Sequence, residues 1–234
     1  MIKAVFFDWF NTLACFDPPR NEMHSQALKE HGIEVSPQKI LRGVFDADSY
    51  WFEENAKFPM RNRSPEEQDE VNLHYQEIVL EKVGLCFSRD LLWKIHRRVR
   101  ELFKGLTFAL FEDVLAVLPA LKERGLTLGL LTNLARDMEP ICSALGLEPY
   151  LDFIVTSKDI GVDKPNPPIF LAALELAKVD ASEVIHVGDQ YKFDVVGARG
   201  VGISPILIDR YDLYSGANDC PRIRSLNELT QYLQ

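Results

Sequence analysis

The stretch VFFDWFNTL, residues 5–13, decides the fold. The apolar, β-branched and aromatic run from Ile2 to Phe7 predicts a buried strand that ends at the carboxylate of Asp8. In open parallel sheets, chemistry takes place beyond the carboxyl ends of the strands. Asp8 is therefore a candidate nucleophile or metal ligand, and the alternative is an Asp that caps a strand before a turn.

The bulk composition limits the function classes. The chain has 234 residues, 47% of them hydrophobic, which is enough for a sizeable core, and its formal net charge is −9. This charge argues against nucleic acid or an anionic membrane as the main partner, but not against a small anionic substrate. No apolar run is long enough to span a bilayer. The cysteines form no CxxC pair, so we expect reduced thiols and a cytoplasmic protein; they are Cys15, Cys86, Cys142 and Cys220.

Helical patterns dominate the segment from about residue 21 to residue 104. Ser36-Pro37 is typical of a helix start, and Ser64 with Glu67 fits a capping box. A further helix is predicted from about Arg89 to Phe103. We predict a helical domain at residues 17–105, inserted into a core formed by residues 1–16 and 106–234.

Strands and helices alternate after residue 106, which predicts an α/β fold with a doubly wound parallel sheet. The residues that leave the first strand, Ala14 to Pro19, are expected to form a turn. The predicted elements are a helix at 112–124 interrupted or kinked at Pro119, a strand at 127–133, a helix at 137–145, a strand at 153–156, a helix at 169–177, a strand at 184–187, a helix at 194–199, a strand at 203–208 and a terminal helix capped by Ser225 and Glu228.

Polar residues follow the predicted strands at one shared edge of this sheet. They are Asp8, Thr132 with Asn133, Lys164, Asp189 and Asp194. Their chemistry is coherent: a carboxylate attacks phosphorus, carboxylates hold a divalent cation, and a hydroxyl and an ammonium hold the oxygens of the transferring group.

The chain here resembles the haloacid dehalogenase superfamily. The order and context of the motifs match across the whole core, and the helical insertion occupies the position of that family's cap. The resemblance implies a Rossmann-like core, an aspartyl-enzyme intermediate and usually Mg²⁺. The matching motifs are FDWFNTL at 7–13, LTN at 131–133, KPNPPIF at 164–170, and GD at 188–189 with Asp194.

The resemblance also implies a role for each matched residue. Asp8 is expected to be the nucleophile and a metal ligand, and the backbone carbonyl of Phe10 is expected to be a second ligand. Asp189 is expected to ligate the metal, and Asp194 to support or join that site. Thr132 and Lys164 are expected to bind the phosphoryl group or to orient Asp8.

Two further residues are candidates for substrate contact. Asn133 is expected to contact the substrate beside Thr132. Trp9 either lines the pocket or packs in the core.

Position 10 departs from the family pattern. Phosphatases of the family carry a second Asp there as general acid and base, whereas this chain has Phe10. Loss of acid–base help typically costs about 10²–10⁴ in rate.

Asp17 is either a substitute acid or a turn residue before Pro18. Asn11 replaces the usual Gly, which is tolerable because Asn accepts unusual backbone angles.

Three functions remain open at this point. The first is a Mg²⁺-dependent phosphatase that acts on a small phosphorylated metabolite through Asp8. The second is a metal-independent 2-haloacid dehalogenase, which also has an aromatic residue at position 10 but replaces the acid at position 189 with Ser. The third is a non-catalytic binding protein on a degenerate scaffold. The acid at Asp189 favours the first, because without a cation three carboxylates would repel an anionic substrate.

Overall fold

The computed structural model describes residues 1–214 and 219–233, which divide into two compact units. The first unit comprises Met1–Cys15 and Phe108–Gln234, and the second comprises Phe16–Thr107. The strands of the first unit are β1 (Ala4–Phe7), β4 (Thr127–Thr132), β5 (Phe153–Thr156), β6 (Val184–Gly188), β7 (Ser204–Ile208) and β8 (Arg222–Ile223), and its helices are α5 (Val114–Glu123), α6 (Glu139–Ala144), α7 (Ser157–Ile160), α8 (Pro167–Ala177) and α9 (Val196–Gly200).

Within the described residues, the strands of the first unit form a six-stranded sheet in the order β5-β4-β1-β6-β7-β8. Every pairing is parallel. Alternate side chains of β1 enter two different apolar clusters: Val5 and Phe7 pack with α5, whereas Ala4 and Phe6 pack with α8. Both faces of the sheet are therefore covered by helices, and the predicted α/β, Rossmann-like core is confirmed.

The second unit is a helical bundle with its own apolar core. Its helices are α1 (Arg20–Glu30), α2 (Pro37–Lys57), α3 (Pro65–Glu81) and α4 (Arg89–Leu102), with a short 3₁₀ turn at Met60–Asn62. Gly43 lets α2 approach α3 closely, because a Cβ at this position would lie 2.4 Å from the carbonyl oxygen of Val79. The predicted capping box is confirmed: Glu67 N donates to Ser64 Oγ (3.3 Å) and Ser64 N donates to Glu67 Oε2 (2.8 Å).

Several predicted elements differ from the structure. The predicted turn at 14–19 contains a strand, β2 (Ala14–Asp17), which pairs with β3 (Thr107–Leu110), because the chain leaves and re-enters the core at adjacent points. Helix α5 continues through Pro119, and α6 is shorter than predicted.

The last two predicted helices have other geometries. The residues expected to start a helix at Asp194 instead lie in a π-helical turn, Tyr191–Val195, that leads into α9. The capping box of Ser225 and Glu228 is present, but it caps a 3₁₀ helix at Leu226–Tyr232.

Candidate active site

Asp8 lies directly after the central strand β1, and its side chain is buried. Its backbone N–H donates to the carbonyl oxygen of Val187 in β6 (2.8 Å), which continues the ladder between β1 and β6 by one residue. Since β1 lies between β4 and β6, the residues that follow these two strands lie on either side of Asp8 at the edge of the sheet. The central position of β1 therefore places Asp8 at the middle of the carboxyl edge of the sheet.

A buried lysine, Lys164, contacts two acids of the site, Asp8 and Asp194. Lys164 Nζ donates to Asp8 Oδ1 (2.6 Å) and to Asp194 Oδ1 (2.6 Å), and all three side chains are buried. Although burial alone would lower the pKa of Lys164, the carboxylates of Asp194 and Asp8 raise it above its ordinary value. Lys164 is therefore an ammonium that is held between two acids.

Asn133 holds the backbone of Lys164 in place. Its Oδ1 accepts from Lys164 N (2.7 Å), and its Nδ2 donates to Lys164 O (3.1 Å). The backbone carbonyl of Asn133 in turn accepts from Ser157 Oγ (3.0 Å). Both ends of the amide that we expected to contact substrate are thus occupied by the chain itself.

Thr132 is the last residue of β4 and is buried. Its Oγ1 accepts from Leu134 N (3.2 Å), which turns the chain sharply at the strand end. The hydroxyl hydrogen is not used by this contact, so Thr132 retains a donor.

Asp194 is held by three donors. Its Oδ1 accepts from Lys164 Nζ and contacts His186 Nε2 (3.0 Å), and its Oδ2 accepts from Gln190 N (3.0 Å). Burial alone would raise the pKa of Asp194, but the ammonium of Lys164 and the hydrogen bonds from His186 and Lys164 hold it well below its ordinary value. Gly188 makes room for this carboxylate, because a Cβ there would lie 2.1 Å from Asp194 Cγ.

His186 is a site residue that the sequence motifs did not identify. Burial lowers the pKa of its imidazole, which is fully buried in β6. A neutral imidazole beside an ionised carboxylate must carry its proton on Nε2 in order to donate to Asp194. His186 lies two residues before Gly188, and residues two apart share one face of a strand, so the period of the strand could have identified it.

Asp189 differs from Asp194 in its partners. Its Oδ2 accepts from Asn11 Nδ2 (3.0 Å), whereas its Oδ1 is buried and has no hydrogen-bond partner among residues 1–214 and 219–233. Burial raises the pKa of Asp189 well above its ordinary value, and the charges of Asp8 and Asp194 raise it further.

The three buried acids form one group. Asp8, Asp189 and Asp194 each offer a carboxylate oxygen, and these oxygens lie within 4.8 Å of one another. Burial raises the pKa of Asp8 to about 6, although the ammonium of Lys164 opposes this shift. One ammonium cannot balance three carboxylates at this distance. A hard divalent cation with oxygen ligands fits this donor set and the unpartnered oxygen of Asp189.

The loop after Asp8 is tightly folded. Leu13 N and Ala14 N both donate to Trp9 O, and Asn11 lies in the left-handed region with a φ of 55°. Arg210 fixes the far end of the loop, because its Nη2 (2.6 Å) and Nε (3.1 Å) donate to the carbonyl oxygen of Thr12.

Trp9 and Phe10, both aromatic residues of this loop, pack against the core. Trp9 is fully buried in the apolar cluster of the sheet and meets Phe108 edge to face with a centroid distance of 5.3 Å. Of the two expectations for Trp9, the burial favours packing over pocket lining. Phe10 is half-buried and packs against the same cluster.

A family model for haloacid dehalogenase-like hydrolases matches residues 2–202. The chain belongs to this family. Haloacid dehalogenase-like hydrolase domain-containing protein 3 from Danio rerio is 30% identical over 239 residues, covering 100% of this chain and 97% of that protein. A ribulose-1,5-bisphosphate 5-phosphatase from Halopiger xanaduensis is 29% identical, covering 89% and 85%. The crystal structure of a 2-haloacid dehalogenase from Pseudomonas syringae is 28% identical with a TM-score of 0.57, covering 100% and 98%.

The family membership makes this haloacid dehalogenase-like protein a hydrolase, as the sequence motifs predicted. Among residues 1–214 and 219–233, no helix combines the length and the apolar character needed to cross a membrane.

Proposed function

We propose that this protein is a Mg²⁺-dependent phosphatase that acts on a small phosphorylated metabolite through an aspartyl-phosphate on Asp8. The observation that carries the proposal is the group of three buried carboxylates around a single ammonium, in which Asp189 Oδ1 has no partner among the described residues. The name of the Halopiger relative, a sugar-phosphate phosphatase, supports the choice of substrate class.

The ligands proposed for the cation are Asp8, Asp189, Asp194 and the backbone carbonyl of Phe10. The cation would neutralise the repulsion between an anionic substrate and the anionic nucleophile. Since three donors already hold Asp194, we assign it mainly to fixing Lys164, with Asp8 and Asp189 as the principal carboxylate ligands.

The chemistry of the chain's own residues follows from their contacts. An oxygen of Asp8 forms a bond to phosphorus while the bond from phosphorus to the ester oxygen breaks. The ammonium of Lys164 and the hydroxyl of Thr132 hold the oxygens of the transferring group. Water then attacks the phosphorus of the acyl phosphate, which releases inorganic phosphate and regenerates Asp8. The net reaction consumes one water and yields an alcohol.

The apolar side chain of Phe10 limits this chemistry. The leaving alkoxide requires a proton, and Phe10 cannot supply one. The rate for esters with poor leaving groups is therefore expected to be lower by about 10²–10⁴ than in an enzyme with an acid at this position. Substrates whose leaving group is stable as an anion are favoured.

Phe10 also supports a second candidate, a 2-haloacid dehalogenase, and the Pseudomonas dehalogenase adds to that support. In that reaction an oxygen of Asp8 bonds to carbon while the carbon–halogen bond breaks, and water hydrolyses the resulting ester. Halide leaves without a proton, so no acid is needed. Asp189 argues against it, because a third buried acid beside Asp8 and Asp194 fits a cation site rather than a pocket for a carboxylate substrate.

A panel assay distinguishes the candidates. The wild-type protein is supplied with p-nitrophenyl phosphate, acetyl phosphate and L-2-chloropropionate, each with MgCl₂ and with EDTA, and Asp8→Asn serves as the control. Phosphate release that requires Mg²⁺ and Asp8 supports the phosphatase. Halide release in EDTA supports the dehalogenase instead. Absence of turnover on the whole panel, with Mg²⁺ binding retained, supports a binding protein.

A further inference from the structure

The amide of Asn11 forms a hydrogen bond with one oxygen of Asp189 and makes no hydrogen bond with the other. Asn11 Nδ2 donates to Asp189 Oδ2 (3.0 Å), and Asp189 Oδ1 is the buried oxygen without a hydrogen-bond partner among the described residues. The two residues are 178 positions apart in the chain, so the contact joins the loop after β1 to the end of β6.

We propose that Asn11 is a positioning residue, which fixes the carboxylate of Asp189 so that Oδ1 faces the cation. This inference rests on the Mg²⁺ site of the proposed function. It adds a role for a side chain at a position where the family pattern has a glycine, which has no side chain.

The backbone of the loop explains why an asparagine can do this. Asn11 has a φ of 55°, and its N–H donates to Ala14 O (2.7 Å) in the tight turn after Trp9. Among residues with a side chain, Asn and Asp adopt this left-handed conformation most readily. Of these two, only Asn offers N–H donors, whereas an aspartate would place a further negative charge beside Asp189.

The amide of Asn11 carries no charge, and this also favours cation binding by Asp189. A lysine in this place would form an ion pair with Asp189, as Lys164 does with Asp8 and Asp194, and would reduce the negative charge available to a cation. An amide restrains one oxygen of Asp189 and leaves the carboxylate its full charge. Outer-shell hydrogen bonds of this kind typically change metal affinity by about 10–100-fold.

Asn11→Gly is the test, because glycine keeps the left-handed backbone without strain and removes only the side-chain amide. Lys178→Gly is the matched control: Lys178 has a φ of 54° and is exposed at the end of α8. Mg²⁺ binding is measured by isothermal titration calorimetry, and the melting temperature is measured in EDTA and in MgCl₂.

We expect Asn11→Gly to bind Mg²⁺ about tenfold more weakly than wild type, with a melting temperature in EDTA close to that of wild type. Lys178→Gly should bind as wild type does. Equal Mg²⁺ affinity of Asn11→Gly and wild type overturns the inference. A glycine variant that is unfolded in EDTA also overturns it, because the role of Asn11 is then structural. Failure of the wild-type protein to bind Mg²⁺ would instead reject the metal site of the proposed function.

Discussion

Substitution of Gly188 by alanine tests whether the position of Asp194 governs the activity. A Cβ at residue 188 would lie 2.1 Å from Asp194 Cγ, and ordinary contacts of a Cβ begin at 3.4 Å. The Asp194 side chain would therefore have to move by about 1.3 Å, which breaks its 2.6 Å contact with Lys164 and its 3.0 Å contact with His186. A misplacement of about 1 Å in a catalytic group can cost about 10²-fold in rate, so we expect kcat of Gly188→Ala to fall by about that factor.

Two further glycines provide matched controls in the same unit. Gly129→Ala would place its Cβ 2.3 Å from the ring of Phe153, a similar overlap three residues before Thr132 in β4, whereas Gly200→Ala meets nothing within 4 Å. Hydrolysis of p-nitrophenyl phosphate is measured with MgCl₂, well below the melting temperature of each variant. Gly129→Ala should lose stability but keep most of its kcat, and Gly200→Ala should resemble wild type. A folded Gly188→Ala with wild-type kcat would refute the reasoning.

Three other outcomes are expected. Phe10→Asp should raise the hydrolysis of an alkyl phosphate such as glycerol 2-phosphate more than that of p-nitrophenyl phosphate, because only the alkoxide leaving group needs the restored acid, and an unchanged or lower rate on the alkyl phosphate in a folded variant counts against the missing-acid account. Lys164→Met should abolish turnover, because Asp8 and Asp194 lose the ammonium between them. The control, Lys158→Met, changes an exposed lysine and should keep wild-type turnover. Normal turnover by Lys164→Met would contradict the role of this ammonium in the reaction. Burial lowers the pKa of His24 in the helical unit from 6.5 to about 4, so its neutral form stabilises the fold above pH 6.5 and this stability is lost as the pH falls towards 4. Relative to His24→Leu, wild type should lose about 2.5 kcal/mol in the free energy of unfolding between about pH 7.5 and about pH 4.5. Urea unfolding checks this value, with the exposed His74→Leu as the control, and a constant difference across that range would show that His24 is not buried as a neutral group.

Local patterns in the sequence predicted the core well. The apolar run before Asp8 and the run of residues 127–132 predicted two strands that pair directly in the sheet, and the capping box at Ser64 predicted the start of α3. These predictions succeeded because strand burial and helix capping depend on residues that are close together in the chain.

Other features depend on contacts between distant residues. The π-helical turn at Tyr191–Val195 brings the Asp194 carboxylate against Gly188, and no periodicity of that short segment indicates it. The pairing of β2 with β3 joins residues about 90 positions apart, and each strand has only four residues.

The candidate site was also predicted only in part. Motif order predicted which acids and which lysine would meet, and the structure brings Asp8, Lys164, Asp189 and Asp194 together. Their orienting partners were not predicted, because a hydrogen bond such as that of Asn133 to the backbone of Lys164 depends on side-chain geometry rather than on residue type.

The central place of β1 also has a consequence for how the chain is made. β1 is synthesised before its sheet partners and must wait for them, since Ala4 pairs with Thr127 on one side and with Val184 on the other. Residues 16–107 form a contiguous unit that can pack its own apolar core before the later strands of the sheet are synthesised. Asp8 is thus synthesised long before Asp189 and Asp194, and the group of acids is complete only when about 180 further residues have been added.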